Sequence, residues 1–223
     1  MTIEAKICGL STEETVRAAL DAGASYIGLV FYPPSPRNIS FEQASILGDI
    51  IKNDAMKVGV FVNPDDMIIR TALLHIDLDV IQLHGNESIE RVQYLQNKFS
   101  KIVMKAISVE SVSDIARAKE YERMADMLLF DAKAPINMDD ALPGGNGIEF
   151  DWNLIAGYKW RVPWMLSGGL NNNNVSEAIK ISGAKLVDIS SGIETQPGVK
   201  SSELINSFLT TVQDYKNEEE ERK

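Results

Sequence analysis

Short apolar runs alternate along the chain with polar breaks and segments of helical periodicity. Runs rich in Val, Ile, Leu and Met predict eight buried parallel strands: Ile3–Cys8, Tyr26–Phe31, Lys57–Val62, Val80–Leu83, Ile102–Ala106, Met127–Phe130, Trp164–Leu166 and Leu186–Ile189. The segments between and after them predict helices over Thr12–Ala22, Phe41–Lys52, Asp65–Leu74, Ser88–Lys98, Ser111–Tyr121, Asp151–Tyr158, Asn174–Ser182 and Ser201–Tyr215. This alternation is typical of an α/β protein.

Eight strand–helix units in succession predict a single (β/α)8 TIM barrel over residues 1–223, with an acidic C-terminal tail from about residue 216. An open doubly wound sheet is the alternative, although no GxGxxG motif follows any strand. The connection 131–150 is too long for a plain turn, and connections of this length are usually functional or mobile.

Charge and composition argue against a nucleic-acid-binding, a disulfide-bonded and a membrane-spanning protein. The formal net charge of −10 argues against non-specific nucleic-acid binding, which needs a basic surface. A single cysteine excludes an internal disulfide and fits a reducing compartment. No apolar run approaches the roughly 20 residues of a membrane span, and charges interrupt the N-terminus where a signal peptide would be apolar. We therefore expect a cytoplasmic protein that binds neither nucleic acid nor membrane.

Polar and titratable residues follow the predicted strands. In a barrel of this type the active site lies at the C-terminal ends of the strands, so these residues would share one rim. The candidates are Cys8, Arg37, Asn63, Gln82, His84, Lys105, Asp131, Ser167–Gly169 and Ser190–Gly192.

Cys8 has two interpretations. A buried thiol usually packs as a small hydrophobe and is inert, and on spacing alone this interpretation is favoured. At the end of its strand, beside Gly9, the thiol could instead face the pocket and act as a general base.

Two further charged residues are candidates for chemistry. Asp131 follows an apolar strand, where partial desolvation favours the protonated carboxyl of a general acid, although a loop cap is the alternative. Arg37 lies in the proline-rich loop "YPPSPR", where its guanidinium could bind a carboxylate through two hydrogen bonds. A surface arginine without function is the alternative.

The chain has two histidines, which excludes a three-histidine metal site. Gln82 and His84 lie on the same strand face, and both would point into the pocket and bind substrate if that face is the barrel interior, although a structural His84 is an alternative. His75 falls near the end of a predicted helix, where a solvated role is expected.

The turns after strands 7 and 8 are rich in glycine and serine. "LSGGL" and "DISSGIE" place Gly168, Gly169, Ser191 and Gly192 where barrels often bind phosphate through backbone N–H groups. Tight turns without a ligand are the alternative explanation for these glycines.

The ordered motifs "KICGL", "FYPPSPR", "VIQLHG", "LLFDAK", "PGGNG", "LSGGL", "DISSGIE" and "PGVK" together resemble phosphoribosylanthranilate isomerase of tryptophan biosynthesis. The resemblance runs from Ile3 to about Leu209. Ser167 stands where the family more often has alanine, and "PINMDD" lengthens the connection after strand 6.

The resemblance implies an Amadori rearrangement of a small phosphorylated substrate, without metal or organic cofactor. It implies that Cys8 is the general base, that Asp131 is the general acid and that Arg37 binds the anthranilate carboxylate. It also implies that Gly168, Gly169, Ser191 and Gly192 hold the phosphate. Monomer and homodimer both remain open.

Two other functions are alternatives. An isomerase of histidine biosynthesis with the same reaction type would resemble a plan with two aspartates, against which Cys8 argues. A phosphate-ligand-binding barrel without activity is less favoured, because Cys8, Asp131 and Arg37 are all retained.

Overall fold

The computed structural model describes residues 3–134 and 142–221, with side chains of the last helix described through Tyr215. Eight parallel strands form a closed barrel in which each pairs with the next along the chain and the eighth pairs with the first. They are β1 (Glu4–Cys8), β2 (Tyr26–Val30), β3 (Met56–Phe61), β4 (Val80–Leu83), β5 (Ile102–Val109), β6 (Met127–Ala132), β7 (Trp164–Leu166) and β8 (Leu186–Ile189). The predicted TIM barrel is confirmed.

Four of the helices that accompany the barrel begin directly after a polar cap. Thr12, Ser40, Asp65 and Ser88 each accept a hydrogen bond from the backbone N–H three residues later, which satisfies a donor that has no intrahelical partner. The helices are α1 (Glu13–Asp21), α2 (Phe41–Ile51), α3 (Asp66–His75), α4 (Ile89–Phe99), α5 (Val112–Tyr121), α6 (Val175–Ser182) and α7 (Ser202–Glu221). In the described part of the chain, none of the helices has both the length and the apolar character to cross a membrane.

The helix predicted over Asp151–Tyr158 is wrong. The segment forms only one 3-10 turn, Trp152–Leu154, which Asp151 caps by accepting from the N–H of Asn153. Gly157 follows with φ of +75°, a left-handed conformation that stops a helix. The stretch between the loop after β6 and the start of β7 is therefore mostly irregular.

Strand residues alternate between two apolar cores. One set packs outward beneath the helices, and the other fills the interior of the barrel. The interior set includes Cys8, Val30, Val58, Val60, Val80, Met104, Ala106, Met127, Leu129 and Met165. Because side chains alternate along a strand, Lys6 of β1 points into the barrel interior together with Cys8.

A short antiparallel hairpin after β8, which the sequence analysis did not predict, reaches the rim. Its strands are β9 (Glu194–Gln196) and β10 (Val199–Lys200). Gly198 in the turn has φ of +84°, and a Cβ there would lie 2.5 Å from the carbonyl oxygen of Pro36. The hairpin therefore packs against the loop after β2, which carries Arg37.

Two expectations fall outside the described part of the chain. The "PINMDD" stretch, 135–140, belongs to the undescribed segment 135–141. The side chains of the acidic tail from residue 216 are likewise not described, although the backbone of α7 continues to Glu221.

Candidate active site

The C-terminal ends of the barrel strands surround a cavity that most of the predicted site residues line. These are Cys8, Arg37, His84, Asp131, Gly168, Gly169 and Ser191. Gln82 and Gly192 are not among the described residues that line it. Gln82 is fully buried in the wall, and Gly192 lies within the turn after β8, where it packs against Leu170.

Cys8 is the last residue of β1 and borders the cavity with 7% of its surface exposed. Its register partner on β2 is Gly28. A Cβ at position 28 would lie 2.8 Å from Cys8 Sγ and 3.1 Å from Lys6 Nζ. The missing side chain of Gly28 therefore leaves the space that the thiol and the ammonium group share.

Lys6 and Asp188 form an ion pair inside the barrel. They are register partners on β1 and β8, and Lys6 Nζ lies 2.8 Å from Asp188 Oδ1. Ser167 Oγ donates to Asp188 Oδ2 at 3.0 Å, so the serine of "LSGGL" contributes to this network. Buried charges require such partners because an unpaired charge in an apolar interior is costly.

The charges around Cys8 act in opposite directions. Burial raises the pKa of the Cys8 thiol, attraction to Lys6 offsets part of that rise, and repulsion from Asp188 adds to it. Lys200 also attracts the thiolate. Burial alone would lower the pKa of Lys6, but Asp188 and Cys8 outweigh it and the pKa is raised. Lys6 is therefore charged at neutral pH.

Asp131 lies at the end of β6 and belongs to a chain of hydrogen bonds. His84 Nε2 lies 3.1 Å from Asp131 Oδ2, and the Gln82 amide nitrogen lies 2.8 Å from His84 Nδ1. Since the amide nitrogen can only donate, His84 Nδ1 accepts and Nε2 carries the proton that it donates to Asp131. Gln82 therefore contacts His84, and His84 contacts Asp131. Of these two predicted residues, only His84 lines the cavity.

Glycines border the carboxyl group of Asp131 on two sides. A Cβ on Gly144 would overlap His84 Nε2 and lie 2.7 Å from Asp131 Oδ2. A Cβ on Gly168, which has φ of +86°, would lie 3.2 Å from Asp131 Oδ1. The close approach of the loop after β6 and the turn after β7 therefore depends on glycine.

Arg37 is buried and already bound to a carboxylate of this chain. Its Nε and Nη2 donate to the two oxygens of Glu194 at 2.7 and 2.9 Å, and Nη2 also donates to the carbonyl of Gly145 at 3.0 Å. Lys200 Nζ lies 2.7 Å from Glu194 Oε1. One carboxylate between two cations leaves one net positive charge beside the cavity.

Burial affects the pKa values of Glu194 and of its second cationic partner, Lys200. Burial alone would raise the pKa of Glu194. The hydrogen bonds from Arg37 and the attraction to Lys200 outweigh burial, so the pKa of Glu194 is lowered overall. Burial lowers the pKa of Lys200 to about 8, against the attraction of Glu194. Lys200 therefore titrates close to physiological pH.

The turns predicted to hold phosphate come together at one side of the cavity. Gly168, Gly169 and Ser191 line it, and Ser191 opens a single 3-10 turn, Ser191–Ile193, whose first N–H groups have no intrahelical acceptor. A Cβ on Gly192 would overlap the carbonyl oxygen of Leu170, so this glycine allows the two turns to pack together.

Comparison with known proteins agrees with this geometry. The family model described as N-(5′-phosphoribosyl)anthranilate (PRA) isomerase matches residues 5–211. The chain belongs to this family. A PRA isomerase of Paramagnetospirillum magneticum is 47% identical over 209 residues, which cover 94% of this chain and 96% of that protein.

Solved PRA isomerases have the same fold. A structure of monomers generated from the dimeric enzyme of Thermotoga maritima is 34% identical, with a TM-score of 0.81, and covers 96% of this chain and all of that one. Another structure is a complex with reduced 1-(o-carboxyphenylamino)-1-deoxyribulose 5-phosphate, with 33% identity and a TM-score of 0.82 over the same shares of both chains.

Four charged residues at this PRA isomerase site were not predicted: Lys6, Asp188, Glu194 and Lys200. Asp188 stands inside the otherwise apolar run Leu186–Ile189, and Lys6 stands in the middle of the first strand; a charge within a buried strand indicates a paired group. Glu194 and Lys200 gave no comparable signal, because their strands are only three and two residues long.

Proposed function

We propose that this chain converts N-(5′-phosphoribosyl)anthranilate into 1-(o-carboxyphenylamino)-1-deoxyribulose 5-phosphate, an Amadori rearrangement in tryptophan biosynthesis, by general acid–base catalysis. Family membership supports the reaction. The observation that carries the mechanism is that Cys8 and Asp131, from β1 and β6, line one cavity. An acid and a base then reach the substrate from different sides.

Asp131 supplies the first proton. It protonates the ring oxygen of the furanose, the bond between that oxygen and C1′ breaks, and a Schiff base with the anthranilate nitrogen forms. His84 donates to the carboxylate that remains and so stabilises it after the proton has left.

Cys8 completes the rearrangement. Its thiolate removes the proton from C2′ of the Schiff base, and the electron pair of the C–H bond forms the enolamine, which tautomerises to the aminoketose. A thiolate is needed for this step, and the buried thiol therefore needs nearby positive charge.

The two anionic groups of the substrate have separate partners. Arg37 Nη1 donates to no acceptor within residues 3–134 and 142–221, and we assign it to the anthranilate carboxylate. Gly168, Gly169 and Ser191 are assigned to the phosphate, with backbone N–H groups and a hydroxyl as donors. Gly192 lies in the same turn as Ser191 and allows it to pack closely against Leu170.

The decisive experiment follows the loss of substrate fluorescence with purified protein. Cys8→Ala and Asp131→Asn should each lower kcat by about 10²–10⁴-fold, the usual contribution of a general acid or base. Asp77→Asn, at an exposed carboxylate that pairs with Lys101, serves as control and should leave turnover unchanged. Turnover near that of the parent protein in either site variant would remove that residue from the mechanism.

A further inference from the structure

Lys6 is a buried cation to which the acid–base mechanism gives no role. It is fully buried in the barrel, yet its ammonium group is charged, because Asp188 faces it at 2.8 Å. Replacing a buried ion pair with apolar residues is often neutral or stabilising, so stability alone does not account for a charge here.

The geometry directs the ammonium group of Lys6 towards Cys8. The two residues are separated by one position on the same face of β1, and Gly28 opposite them provides no side chain to come between them. A Cβ at position 28 would contact both Sγ and Nζ, which means that the two atoms border the same small space.

We propose that Lys6 is a positioning residue for the proposed base, with its ammonium group held against the Cys8 thiolate by Asp188. The inference rests on the proposed function, since it assigns a role to Lys6 through Cys8. Lys6 does not line the cavity in the described part of the chain, so it acts on the substrate only through the thiolate.

Asp188 holds the ammonium group in place, but its negative charge also repels the Cys8 thiolate. Its Oδ1 binds Lys6 and its Oδ2 accepts from Ser167, which fixes the position of the carboxylate. The charged groups that face Cys8 are the cations Lys6 and Lys200 and the carboxylate of Asp188. Ionisation of the thiol therefore places one more negative charge among two positive groups and one negative group.

Ionisation of Cys8 can be measured without substrate. Cys8 is the only cysteine in the sequence, so thiolate absorbance and the rate of alkylation by iodoacetamide report this residue alone. In Lys6→Met the midpoint of both titrations should move upward by about one pH unit or more, because an opposite charge at this range favours the ionised form. The acidic limb of kcat/KM should move the same way.

Two further variants separate the charge of Lys6 from its other contacts. Lys6→Arg retains the positive charge and should keep the midpoint close to that of the parent protein. Lys6→Gln removes the charge but keeps a hydrogen-bond donor for Asp188, so its midpoint should move upward as in Lys6→Met. If Lys6→Met does not fold, Lys6→Gln decides: an unchanged or lowered midpoint overturns the proposal.

Lys57→Met is the matched control. Lys57 is also a buried lysine, facing Asp79 at 3.4 Å, but it lies near the start of β3, at the opposite end of the barrel. Its replacement should not move the Cys8 midpoint. An unchanged midpoint in folded Lys6→Met would overturn the role of Lys6, whereas full turnover in Cys8→Ala would overturn the base itself and leave the titration result standing.

Discussion

The proposed base and the proposed acid line the same cavity on different supports. Cys8 stands beside the charged pair of Lys6 and Asp188 in the barrel interior. Asp131 instead receives one hydrogen bond from His84, which Gln82 contacts in turn. A base must be ionised before it reacts, whereas an acid becomes ionised as it reacts. The difference teaches that full charges surround the group that needs its charge beforehand, and that a single hydrogen-bond donor faces the group that acquires its charge during the reaction.

The largest effect is expected from filling the space beside the base. Gly28→Ala places a methyl group 2.8 Å from Cys8 Sγ and 3.0 Å from its Cα. Because neither Sγ nor the backbone can move far, we expect kcat to fall about 100-fold, within the range of a lost base, and stability to fall by about 1–3 kcal/mol. Steady-state kinetics and urea unfolding measure the two effects.

Gly59→Ala separates overpacking from damage to the base. A Cβ there would crowd Leu78 and Phe61 in the outer core, away from the cavity. It should lower stability while kcat is kept. If both glycine variants keep kcat, the space beside Cys8 has no catalytic importance.

A smaller effect is expected on the side of the acid. His84→Ala removes the donor to Asp131 and should lower kcat by about tenfold, the equivalent of one hydrogen bond to a charged group. The reason is that His84 donates to the carboxylate that remains after proton transfer, and steady-state kinetics measures the loss in kcat.

The other histidine provides the control for this variant. His75 lies in the last turn of α3, where its ring contacts Phe41 and the carbonyl of Thr71. His75→Ala should leave kcat unchanged. A kcat in His84→Ala equal to that of the parent protein would mean that this hydrogen bond does not support the acid.

The smallest effect is expected from Lys200, whose charge acts on both Cys8 and Arg37. With a pKa of about 8, lowered by burial, its ammonium group is charged below that pH and neutral above it. As pH rises through 8, the positive charge beside the cavity is lost and KM should rise, by about threefold for a screened charge. Lys200→Met should show the higher KM throughout, and a KM of the parent protein that stays flat between pH 7 and 9 would contradict the assignment.

The sequence predicted the barrel well because buried parallel strands appear as continuous apolar runs whose ends are visible. Its error over Asp151–Tyr158 came from helical periodicity that Gly157 interrupts. Lys6 could have been found, since it stands two positions before Cys8 and therefore on the same strand face. The contact of Arg37 with Glu194 joins residues 157 positions apart, and no local pattern indicates which carboxylate a given arginine meets.

The closing of β8 onto β1 has a consequence for protein synthesis. Cys8 and Arg37 are synthesised well before Asp188, Glu194 and Lys200. A nascent chain that stops before the eighth strand holds a thiol without its anchored cation and an arginine without its carboxylate. The site can therefore form only after the eighth strand and the hairpin that follows it have left the ribosome.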